Sequence, residues 1–167
     1  MKPTINDLIN LGIIKETTSK LQEKHKTRQF IVNNPYNNEE SSIYYLHNNE
    51  DVDLTNRYVK SKYIVRKMSK CSPNYYCPWS WSGSHEGPMI VKEFNSLDEM
   101  MDYSTKKFIH YYFTQTKEGR VDTKHLLSKQ RMKKMDKLTI KDLESLMSIF
   151  SLRDPNLSRE VYLKTID

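Results

Sequence analysis

Lysine and arginine gather in two stretches of this chain. Between Val52 and Lys70 stand Arg57, Lys60, Lys62, Arg66, Lys67 and Lys70 against one acid, Asp53. Between Lys124 and Lys141 stand Lys124, Lys129, Arg131, Lys133, Lys134, Lys137 and Lys141 against Asp136 alone. The stretches carry +5 and +6 in a chain whose net charge is +6, so the remainder is net acidic. Cations concentrated in this way suit a polyanion, because each one that neutralises a backbone phosphate releases a counterion. Arg57, Tyr58, Lys60, Lys62, Arg66 and Lys67 are therefore the expected first DNA-contact surface, and Arg131, Lys133, Lys134 and Lys137 the second. Tyr58, Tyr63, Tyr75 and Tyr76 lie among or near the first set, where they either stack on bases and bond phosphate or fill a core. Two solvated faces, or an acidic protein partner, would use the same charge differently.

Other chemistry is thinner. Cys71, Cys77 and His85 invite a zinc reading, but five residues separate the cysteines and a fourth ligand would have to come from elsewhere. Trp79 and Trp81 fall on one side of an extended segment and anchor that stretch by apolar contact. Glu50, Asp51 and Asp53 are the one grouping suited to Mg²⁺, and a turn explains them equally well. His85 with Glu86, or His110, would serve a nuclease. The four glycines, Gly12, Gly83, Gly87 and Gly119, are too scattered for a phosphate loop, and no nucleophile elbow or metalloprotease motif is present. No catalytic residue, metal or cofactor is expected on these grounds.

The elements that must position these residues follow from capping and periodicity. Thr4, Asp7 and Gly12 bracket a short helix with Ile5, Leu8, Ile9 and Leu11 on its apolar side. Strands are expected at Arg28–Val32, Ile43–Leu46 and Met89–Phe94, with a basic-faced helix or strand between Val52 and Lys70 and a loop from Cys71 to Pro88. Ser96, Leu97, Asp98 and Glu99 open a helix reaching about Thr114, with Met101, Thr105, Phe108 and Tyr112 at helical spacing. His125 to Lys137 reads as a basic helical stretch. Thr139 and Asp142 cap a final helix with Ile140, Leu143, Leu146, Met147 and Phe150, which Asp154 and Pro155 end. The class is thus α+β: a small antiparallel sheet with an N-terminal helix, followed by a C-terminal helical segment. Residues 1–94 form the expected DNA-binding module, and 95–167 a helical region for packing or dimerisation.

At 167 residues the chain has room for one domain, or one domain and an appendage. Its composition is 37% hydrophobic and 11% aromatic, with a mean hydropathy of -0.79; this builds a core and excludes general disorder. No apolar run is long enough for a membrane span or signal peptide, so a cytoplasmic protein is expected. Alanine is absent while Asn, Lys, Ile and Tyr abound, a bias of AT-rich coding that fits a phage or mobile element and a bacterial host cell. The pairs Asn33-Asn34, Asn37-Asn38 and Asn48-Asn49 read as that bias settling into loops.

Residues 4–94 resemble the RAMA-like DNA-recognition domain of mobile elements. The match rests on Leu8-Ile9-Asn10-Leu11-Gly12-Ile13-Ile14 with Leu21, a hairpin region ending near Asp53, Tyr58 and Ser61 on a basic segment, and Trp79-Ser80-Trp81. Asn48-Asn49 stands in place of the glycine-bearing hairpin turn, and Lys62-Tyr63-Ile64-Val65 in place of a small-residue run. Such modules occur in phage homing endonucleases and, without the nuclease, in phage-satellite repressors. The resemblance implies sequence-specific double-stranded DNA binding without cleavage, acting by occupancy as a transcriptional repressor or host-takeover factor. The alternatives are a phage anti-defence inhibitor that binds a host protein, and a small metal-dependent nuclease. A homodimer through the C-terminal helices would be compatible with the first reading.

Overall fold

Local signals set the first elements. In the computed structural model, which describes residues 2–36, 42–51, 61–70, 86–151 and 155–167, Ile5–Leu11 forms α1. The Thr4 hydroxyl accepts from the Asp7 N–H while the Asp7 carboxylate accepts from the Thr4 N–H at 2.8 Å, satisfying donors that a helix start leaves unpaired. Gly12 closes the helix in the left-handed region at φ +80°, where other residues are strained. β1 (Ile14–Glu16) follows, then α2 (Lys20–Lys24), opened by a second reciprocal cap between Ser19 and Gln22. Lys26, at φ +53°, turns the chain into β2 (Thr27–Val32). β3 (Ser42–Asn48), β4 (Tyr63–Lys70) and β5 (Glu86–Phe94) complete a five-stranded sheet in sequence order. The α+β class is as expected.

By contact the chain divides into two interleaved units. One comprises Glu16–Ile31 and Ser42–Met100; the other comprises Met1–Lys15, Val32–Ser41 and Met101–Asp167. The first is the sheet unit. β3 and β4 pair antiparallel with Tyr45 opposite Arg66 and Tyr44 opposite Lys67, and β4 pairs antiparallel with β5. A shift in the β4–β5 register falls between Val65 and Arg66. Phe30, Tyr44, Leu46 and Val65 are all at most 2% exposed. Arg28 grips Glu16 through two hydrogen bonds of 2.8 and 3.0 Å, and its guanidinium lies 4.9 Å from the centre of the Phe30 ring. That pairing holds the Glu16 carboxyl below its usual range.

The helical unit is organised by α3 (Leu97–Thr114), which begins in the sheet unit and enters this one at Met101. From Tyr103 to Gln115 every residue but Lys107 is buried, so this is a central helix and not one with a single apolar face. Met101, expected on that face, is only half-buried. Tyr112, Phe113 and Tyr162 form an aromatic stack, with Phe113 edge-on to Tyr112 at 5.1 Å and near-parallel to Tyr162 at 5.2 Å. Asn34 is buried as well. Its amide donates to the carbonyls of Thr116 and Lys117 while its oxygen accepts from the Tyr36 N–H, so this asparagine is a structural tie and not incidental coding bias.

Three expectations about the last third need correction. The basic stretch from His125 to Lys137 is not one helix: Thr123–His125 forms a 3₁₀ turn, and α4 spans only Lys129–Met135 because Ser128 caps it, accepting from the Arg131 N–H at 3.2 Å. α5 (Ile140–Ser151) begins at the Thr139–Asp142 cap as expected, burying Leu143 and Leu146, with Ile140 and Met147 half-buried. It is not the last helix. Pro155 starts α6 (Pro155–Ile166), since the first position of a helix needs no N–H. α5 and α6 pack together, and α6 also meets α4. No described helix is long and apolar enough to cross a membrane.

Candidate functional site

Among the described residues, α4 carries an exposed basic face. Met135 is buried and Arg131 and Met132 are half-buried, leaving Lys129, Gln130, Lys133 and Lys134 exposed; the exposed Lys137 follows the helix end. At helical spacing Arg131, Met132 and Met135 share one inward face, and the remaining side chains turn to water. The acid within this stretch does not balance it. Asp136 receives Lys106 and, at 3.0 Å, Lys2, and the Lys106 hydrogen bond holds its carboxyl below the usual range. Lys106 also reaches Asp102 at 3.0 Å; the two carboxylates outweigh its partial burial and leave the amine more basic than usual.

The four cations expected for the second contact surface divide by role. Lys133 and Lys137 are exposed on the basic face. Lys134, also exposed, bonds the main-chain oxygen of Asp167. Arg131 is a clamp: its guanidinium donates to the Asp167 carboxylate at 2.8 Å and to the carbonyls of Leu126 and Lys124 at 2.7 and 3.1 Å. A cleft of about 320 Å³ in the same unit is lined by Lys124, His125 and Arg159, but also by Asp122 and Glu160, so its charges are mixed.

In the first expected surface, Arg57, Tyr58 and Lys60 lie outside the described residues, as do Asp53, Cys71, Cys77, Trp79, Trp81 and His85. Lys62 is exposed at the foot of β4. Arg66 and Lys67 fall on opposite faces of the strand, because successive strand residues alternate. Lys67 lies over the buried Tyr44 ring, 5.7 Å from its centre. Arg66 enters a cleft.

That cleft, of about 300 Å³, belongs to the sheet unit and was not foreseen from sequence. Leu21, Gln22 and His25 form one wall; Thr27, Tyr45, His47 and Arg66 form the sheet side. The Thr27 hydroxyl sits 3.0 Å from His47 Nδ1, and the Tyr45 and His47 rings are near-parallel at 6.4 Å. Burial and the Arg66 charge push the His47 imidazole down to about 4, so it is neutral at neutral pH. His47 Nε2 and Arg66 Nε are buried without hydrogen-bond partners.

Of the residues considered for nuclease or metal chemistry, Glu50 accepts from the Tyr63 hydroxyl at 2.6 Å and Asp51 pairs with Lys26. His110 is buried and bonded on both ring nitrogens. No metal-binding group of three ligands occurs among the described residues. Comparison with protein-family models, characterised proteins and solved structures finds no match to the chain.

Proposed function

We propose that the chain is a non-catalytic, sequence-specific double-stranded DNA-binding protein of a phage or mobile element, acting by occupancy as a repressor or host-takeover factor. The observation that carries the reading is the exposed side of α4 and its exit, where Lys129, Lys133, Lys134 and Lys137 face water and the neighbouring Asp136 is held by Lys106 and Lys2. Such a surface fits backbone phosphates, which supply affinity and position but no sequence information. Base reading is assigned to the module of residues 4–94, on the resemblance described above. Bonding of both His110 nitrogens within the fold favours occupancy over cleavage by that residue.

The test is a gel-shift titration on duplex DNA from the gene's own neighbourhood, with random competitor, at two salt concentrations, with and without Mg²⁺. A discrete competitor-resistant shift that weakens steeply with salt is expected. Binding that is flat across salt removes the phosphate surface; no shift moves a host-protein target to the front, and Mg²⁺-dependent cutting revives the nuclease.

A further inference from the structure

The cleft between α2 and the sheet is built differently from the lysine face of α4, and its composition is selective. Arg66 lies on this side of the β3–β4 pair, and among the described residues nothing bonds its Nε. Three acids of the sheet unit are engaged elsewhere, Glu16 by Arg28, Asp51 by Lys26 and Glu50 by Tyr63, while Glu23 of α2 is exposed. Among the described residues no carboxylate lines the cleft. An arginine whose Nε is out of water and unpaired loses hydration without compensation, a cost that an entering oxyanion would reverse.

Beside it, His47 presents a second unused nitrogen. Its Nδ1 faces the Thr27 hydroxyl, leaving Nε2 buried and unpaired. The Thr27 hydroxyl has one proton and two acceptors in reach, His47 Nδ1 at 3.0 Å and the His25 carbonyl at 3.5 Å; given to the nearer Nδ1, it leaves Nε2 carrying the ring hydrogen as a donor. Arg66 and His47 then form a pair of donors of the kind that holds a carboxylate or phosphate. The rest of the described lining joins polar Gln22, His25 and Thr27 to Tyr45 and Leu21. The Tyr45 ring stands on the same strand face as His47, and Leu21, although a leucine, is 66% exposed. A volume of about 300 Å³ is at the small end of ligand clefts and suits a single-ring molecule.

We infer that this cleft is a binding site for a small organic anion, whose carboxylate or phosphate is held by Arg66 and His47 and whose planar apolar body lies against Tyr45 and Leu21. The site is independent of the α4 surface, so it stands or falls separately from the DNA reading. Arg66, expected from its sequence neighbourhood to touch DNA, is assigned here to the small ligand.

The experiment is an NMR titration of the intact chain with benzoate, phenyl phosphate and the neutral benzamide, following the His47 and Tyr45 ring signals. Saturable shifts with either anion at millimolar concentration, and none with benzamide, are expected; the preferred anion identifies the head group as carboxylate or phosphate. Arg66→Gln weakens binding by about tenfold, the loss of one charge-assisted hydrogen bond, whereas Lys133→Gln leaves it unchanged. If neither anion moves the His47 signals, or benzamide moves them equally, the inference is overturned. The wild-type comparison decides the matter even if Arg66→Gln fails to fold.

Discussion

The Tyr162 hydroxyl lies 2.9 Å from Nδ1 of His110, with Tyr162 fully buried and His110 1% exposed. On its other side the imidazole meets the His125 carbonyl through Nε2. A carbonyl only accepts, so Nε2 carries the proton and Nδ1 must accept from Tyr162. The tyrosine is the single donor for that nitrogen. Tyr162→Phe therefore strands a buried acceptor and is expected to lower stability by about 1–3 kcal/mol, read as a fall in the urea midpoint without a change in slope. An unchanged midpoint would show that the hydrogen bond contributes nothing net.

The same pair fixes a pH dependence. Burial, reinforced by the charges of Lys107 and Arg131 and opposed by the His125 carbonyl, pushes His110 down to about 4 from 6.5. In the unfolded chain the ring takes a proton below 6.5, whereas the folded ring stays neutral until near 4. The unfolded state thus binds more protons throughout that window, and stability falls as pH drops from 6.5 to 4, by on the order of 3 kcal/mol from this residue. His110→Gln, which keeps a donor for the carbonyl but cannot titrate, should remove this residue's share of the fall and leave that of His47, which burial also holds down to about 4. A His110 ring that titrates near 6.5 by NMR would refute this.

Lys106 has a side chain only 11% exposed and depends on two acids. Asp136→Asn leaves it with Asp102 alone, and a loss of about 1–2 kcal/mol is expected, at the level of one hydrogen bond to a charged group. Lys2→Gln removes the exposed partner of the same carboxylate and is expected to cost under about 1 kcal/mol. Thermal unfolding of the two variants separates these outcomes; equal losses would contradict the assignment.

Helix ends offer a cleaner comparison. At Gly12 nothing lies within 4 Å of an added Cβ, so Gly12→Ala meets no clash and its cost is that of the left-handed backbone alone, about 1–2 kcal/mol. Thr139→Ala at α5 removes the hydroxyl that accepts from the Asp142 N–H at 3.2 Å and is expected to cost about 1 kcal/mol. Denaturant unfolding checks both.

For DNA, the salt dependence is the quantitative readout. If Lys129, Lys133 and Lys137 each neutralise one phosphate, the triple Gln variant lowers the log–log salt slope by about 3 on duplex. An unaltered slope would place phosphate contact elsewhere.

The helix starts were legible where a side chain and a backbone donor lie three residues apart, as at Thr4–Asp7 and Thr139–Asp142. Ser19–Gln22 has the same spacing, but α2 buries no residue, so no apolar period marks it out of its polar surroundings. Pro155 was misjudged because a proline after a helix and a proline at the start of the next look alike until the following turn is known. The α4 lysines could be grouped from sequence, yet Arg131 could not be told from its neighbours: its role depends on Asp167 and on two carbonyls that only the folded chain brings near. The cleft was invisible for a similar reason. Thr27, His47 and Arg66 lie on three strands, and only strand register places them side by side.

α2 forms one wall of that cleft with five residues, none buried. Helices this short have little intrinsic stability in water, and this one has no buried side chain to add to it. Its amides are therefore set to exchange with solvent through local opening, far below the free energy that unfolds the sheet. A ligand resting on Leu21 adds contacts that this turn lacks, so slowed exchange along Lys20–Lys24 would report that the cleft is filled.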